Sequence, residues 1–159
     1  MAAEAADGEG RRDASGERLT EDLLERLLVA SRPEDFLDEE GVGTRELTDY
    51  LWELLRASGL KRADVVRGSG INSTVVYDIF DGKSRPRGDH PVMLAFGLRC
   101  DLRQTQRLLR LAGVSELWCK QRRDAIIIWC IQNGLTREQA DDELFRLGEK
   151  TMLGTDRLA

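Results

Sequence analysis

One stretch, residues 60–86 (LKRADVVRGSGINSTVVYDIFDGKSRP), restricts the fold more than any other. Val65 and Val66 before Gly70, with Val76 and Ile79 after it, predict two short helices over about 62–69 and 73–80. Their apolar sides meet across a tight turn. Gly70 stands where the chain must bend sharply, and Ile71 directly after it plugs the angle between the helices. Asn72 caps the second helix and Gly82 closes it. That helix turns Ser73, Thr74, Tyr77 and Asp78 outward, and a basic loop from Lys83 to Gly88 follows around Pro86.

The flanking sequence is helical throughout. Leu47, Leu51, Leu54 and Leu55 make one apolar face of a helix over 44–58, stopped by Gly59. His90-Pro91 opens a helix with Val92, Met93, Leu94, Phe96 and Leu98, and Asp101 with Gln104 starts another that runs to Ala112. On the amino-terminal side, Leu23, Leu24, Leu27 and Leu28 give an apolar stripe to a helix over 20–30, and Pro33 opens a short helix containing Phe36 and Leu37. On the carboxy-terminal side, the run AIIIWCI (125–131) suits a helix buried on most sides, although a strand has the same apolar pattern. Thr136 with Gln139 forms a capping box for a last helix carrying Ala140, Leu144 and Leu147. The fold class expected is all-α. Its parts are a disordered leader over 1–18, a helical segment over 19–43, a five-helix domain over 44–113, a helical extension over 114–150 and a flexible tail over 151–159.

The net charge of −5 conceals an asymmetry. Residues 1–50 hold 15 of the 29 acidic and 6 of the 24 basic side chains, leaving 14 and 18 for residues 51–159. Lys61, Arg62, Arg67, Lys83, Arg85 and Arg87 all fall in or beside the two-helix unit, and binding follows such a local field rather than the mean. Three scattered cysteines without a C-x-x-C pair, and a single histidine, argue against a metal site and for a reducing, cytoplasmic setting. Nothing approaches 18 uninterrupted apolar residues, so no membrane span is expected. With neither a catalytic constellation nor a glycine-rich phosphate loop, neither an enzyme nor a cofactor is expected.

The spacing from Gly70-Ile71 to Gly82-Lys83 and then Arg85-Pro86 resembles the lambda-repressor/Cro/xenobiotic-response-element-like helix-turn-helix family. The likeness covers about residues 45–112, the span of that family's five helices. The whole chain also resembles small bacterial regulators that join an acidic helical leader to this domain and then to a helical extension. The resemblance implies a sequence-specific DNA-binding transcriptional regulator whose recognition helix, Ser73 to Phe80, lies in the major groove of double-stranded DNA. Carried across by position, Arg62 falls near a phosphate, Asn72 takes the cap, and Ser73, Thr74 and Val75 face the bases. Tyr77 and Asp78 follow one turn on, and Lys83, Arg85 and Arg87 lie in the loop that meets phosphate. Two departures matter. Lys61 stands where a Ser or Thr cap is usual. The outward face of the recognition helix lacks Arg, Lys and Gln and carries Asp78, with Asp81 just beyond; an Asp accepts only from a cytosine amino group and repels phosphate. The alternative is therefore a protein-interaction module that has lost DNA affinity. Paired half-sites imply a homodimer, with Ile126 to Ile131 and Trp118 as its candidate surface. The acidic leader or the carboxy-terminal helices offer a further protein-binding surface.

Overall fold

A computed structural model describes residues 20–40 and 44–154. The expected disordered leader, the break at Gly41 and Gly43, and residues 155–159 of the expected tail lie outside the described residues. Nine helices and no strand occur among those described, so the chain is all-α. They are α1 (Thr20–Val29), α2 (Pro33–Glu40), α3 (Thr44–Ser58), α4 (Arg62–Ser69), α5 (Ser73–Phe80), α6 (His90–Gly97), α7 (Leu102–Leu111), α8 (Arg122–Gln132) and α9 (Arg137–Arg146). The ambiguous run at 125–131 is helix, inside α8.

The chain divides into two units, Met1–Val42 and Gly43–Ala159. In the first, α1 packs on α2 and Phe36 is buried, while Leu24, Leu27, Leu28 and Leu37 are exposed. The leucine stripe read from the sequence is present, but most of it faces solvent.

In the second unit the core is built from the apolar face of α3 (Leu47, Leu51, Leu54, Leu55), from Val65 of α4, and from Val76, Ile79 and Phe80 of α5. Helix α6 is its centre. Every residue from Pro91 to Leu98 is buried, because α4, α7 and α9 all pack on this one short helix. Local chemistry defines the helix ends. Asp101 Oδ1 accepts from the Gln104 N–H at 2.8 Å while Gln104 Oε1 accepts from the Asp101 N–H at 3.0 Å. Thr136 and Gln139 make the same reciprocal pair at the start of α9, at 3.2 and 2.9 Å.

Helices α8 and α9 belong to the same unit as the five before them. Arg123 of α8 donates two hydrogen bonds to Asp89 at 2.9 and 3.0 Å and a third to the Lys150 carbonyl at 2.9 Å. Gln106 of α7 holds both the N–H and the carbonyl of Leu117 at 2.8 Å. The first residues of the expected tail are packed as well: Met152 is buried, and its N–H donates to Asp141 at 2.7 Å. Within α8, Ile127, Cys130 and Ile131 are buried and Trp129 is 56% exposed, so this helix has a core face and an outer face rather than burial all round.

Burial pushes the Cys100 thiol up to about 12, Cys130 to about 11 and the Tyr50 phenol to about 12. Folded-state values above the unfolded ones mean that stability is fully present below pH 9 and is lost as pH rises through 11 and 12. Denaturant midpoints measured along that range are expected to fall steadily. In native protein near neutral pH, a thiol reagent is expected to modify exposed Cys119 quickly, half-buried Cys100 more slowly, and Cys130 only on unfolding. Equal reactivity of all three would contradict the burial.

Candidate nucleic-acid interface

The site begins with the turn between α4 and α5. Gly70 adopts φ 76°, a left-handed conformation costly for a residue with a side chain, and its N–H donates to the Val66 carbonyl at 3.1 Å to end α4. Ser69 is buried, and its hydroxyl accepts from the Ile71 N–H at 3.2 Å, which sets Ile71 into the core. The Gly70 backbone is covered from outside by α9, since a Cβ at this position would sit 2.9 Å from Nε of Arg137. The turn is therefore constrained by a residue of the carboxy-terminal extension, which no local pattern announced.

Asn72 caps α5 as expected: its Oδ1 accepts from the Thr74 N–H at 2.9 Å. At the start of α4, Lys61 has no side chain that can accept. Asp64 makes up half of the cap instead, receiving the Lys61 N–H at 2.9 Å and pairing with Arg67. The Lys61 N–H, and then the Arg67 cation, hold the Asp64 carboxyl below its ordinary range.

The residues singled out from the sequence divide into three groups. Asn72, Ser73 and Thr74 are exposed at the amino-terminal end of α5, where unpaired N–H groups and the helix dipole favour an anion. Lys83 and Arg87 are also exposed and carry no ion pair among the described residues. The loop holding them is pinned to α5 by the Lys83 N–H, which donates to the Asp78 carbonyl at 2.8 Å, and by buried Pro86. Together with Ala112, Gly113 and Val114 this loop lines an open groove of about 710 Å³ whose charged lining residues are Lys83, Arg85 and Arg87.

Val75, Tyr77 and Asp78 form the second group, half-buried rather than fully outward. The third is already engaged within the protein. Arg85 Nη2 donates to the Leu111 carbonyl at 3.2 Å, at the end of α7. The Arg62 guanidinium lies 4.5 Å from the centre of the Tyr77 ring and 5.3 Å from that of Trp52. One of its nitrogens is 3.5 Å from Asp81. Sequence reading missed Trp52, which falls outside the leucine stripe of α3. Its indole N–H donates to the Phe80 carbonyl at 2.9 Å, and its ring meets Phe80 edge-on with centroids 5.3 Å apart.

The described residues contain no group of three His, Cys, Asp or Glu side chains placed to hold a metal ion, and no helix long and apolar enough to cross a membrane. No known protein family matches the chain, and neither a curated protein nor a solved structure matches it.

Proposed function

We propose that this chain is a sequence-specific DNA-binding transcriptional regulator of the bacterial cytoplasm, built on a lambda-repressor-like helix-turn-helix in which α5 enters the major groove. The observation that carries the reading is the juxtaposition on α5 and its loop. A capped helix end presents Ser73 and Thr74, and a loop hydrogen-bonded to the same helix presents unpaired Lys83 and Arg87. Short hydroxyl side chains can make single hydrogen bonds to base edges and contact thymine methyl groups, while the flanking cations meet phosphates. Asp81 weighs against binding less than its sequence position suggests, because Arg62 lies beside it.

Selection from random duplex DNA tests the reading, with wild type set against a Lys83→Ala, Arg87→Ala variant. Enriched half-sites are expected, and the variant should bind them with a slope of log affinity against log salt reduced by about 1.8, two phosphate contacts at ~0.9 each. Absence of enrichment at low salt would overturn it.

A second reading, the interaction module, draws on a different surface. Trp118, Trp129 and Phe145 are 62, 56 and 62% exposed, and Ala125, Ile126, Trp129 and Leu147, with the Glu143–Arg146 ion pair, line a mainly apolar groove of about 280 Å³ beside α8 and α9. On the regulator reading, the same face serves a homodimer that spans paired half-sites.

A further inference from the structure

The family resemblance puts Arg62 near a phosphate, yet three helices converge on it. It opens α4, its guanidinium lies against Trp52 of α3 and Tyr77 of α5, and it pairs with Asp81 just past the end of α5. Trp52 is held in turn by Phe80, through the 2.9 Å hydrogen bond and the edge-on ring contact. A guanidinium that faces aromatic rings and points an edge at a carboxylate has little left to give a phosphate. Only 34% of its side chain is exposed. Its geometry does two other things. It restricts the Tyr77 ring, the one aromatic group on the face of α5 that would read DNA, and it offsets the Asp81 charge beside that face.

Resting on the DNA-binding reading above, we propose that Arg62 is a positioning residue of the recognition surface and not a phosphate contact. It presets Tyr77 for base contact and screens Asp81 from the DNA backbone. Lysine cannot replace it, because an ammonium lacks the planar face that lies on the rings and the fork that reaches Asp81. A phosphate contact, in contrast, tolerates lysine well.

Three measurements decide the matter. The first needs no DNA. In a Trp118→Phe, Trp129→Phe background, where Trp52 is the remaining indole, Arg62→Lys is expected to shift Trp52 emission; an unchanged spectrum overturns the inference. The second uses the duplex that wild type selects. Arg62→Lys is expected to lose roughly fivefold to tenfold in affinity. That loss should be absent in a Tyr77→Ala background, because the lysine then has no ring to release. Full affinity in Arg62→Lys, or an undiminished loss beside Tyr77→Ala, overturns it. The third is the salt dependence of Arg62→Gln, Asp81→Asn, which leaves the local net charge unaltered. Its slope is expected to equal that of wild type, and a slope lower by about 0.9 would make Arg62 a phosphate contact after all. Failure of wild type to select any duplex overturns the DNA-binding reading, and this inference with it. Selection accompanied by any of the contrary results overturns the inference alone.

Discussion

Asp141→Ala is expected to destabilise the Gly43–Ala159 unit by about 3–5 kcal/mol, read as a fall in the denaturant midpoint, because it leaves a buried guanidinium with only the exposed Glu138 carboxylate, 3.7 Å away, as counter-charge. Asp141 is fully buried and Arg137 is 4% exposed. Their pair, at 2.5 Å, is one part of a small network. Asp141 also accepts the backbone N–H of Met152 at 2.7 Å and of Leu153 at 3.3 Å. Two consequences follow from this network, the first of which separates it from a simple loss of packing. Arg137→Met together with Asp141→Leu should recover part of the loss, since both charges leave the core at once, but not all of it, because two N–H groups are then orphaned. A chain ending at Gly148 should also be less stable than the full chain, although it retains α9 entire, because Asp141 loses both backbone donors, the core loses Met152 and Arg123 loses the Lys150 carbonyl. If Asp141→Ala behaves like a surface substitution, with a change within about 0.5 kcal/mol, the buried pair is not formed in solution.

The second large effect is expected at Gly97. Helices α4 and α6 cross so closely here that a Cβ on Gly97 would lie 2.9 Å from the Val65 carbonyl oxygen and 3.1 Å from both Cβ and N of Ser69. These neighbours are backbone or short side chain, so they cannot swing aside. Gly97→Ala should therefore push α4 off α6 and cost roughly 1–3 kcal/mol, despite alanine's better helix propensity. For a unit of this size the thermal midpoint should drop by about 4–12 °C. Because α4 carries Arg62 and leads into the Gly70 turn, the proposed DNA-binding reading adds that affinity for a selected duplex should fall along with stability. An unchanged or raised midpoint would show that the crossing relaxes without cost.

These two positions differ in how they could have been found. Gly97 lies in the run HPVMLAFG, where an apolar helix containing a glycine signals a close helix contact in general terms but not which helix makes it. Arg137 and Asp141 show only the i, i+4 spacing of an ordinary surface pair, and nothing in that spacing distinguishes a fully buried one. The same holds in the candidate interface. Arg62 and Asp81 are 19 residues apart, and Arg85 and Leu111 are 26 apart.

What the amino-acid order determined by itself was the series of helices and their ends. Periodic leucines, the Asp101 and Thr136 capping boxes, the Asn72 cap and the glycines at 59, 70 and 82 each act within one or two turns of chain, so they are legible wherever they occur. The tertiary structure decided which cations remain available. Lys83 and Arg87 stand exposed, whereas Arg62 and Arg85 are taken up by rings and a carbonyl that only folding brings near. The physical reason is range. A cap or a turn is settled among neighbours in the chain, while a charge finds its partner among whatever groups the packed helices deliver within a few ångströms.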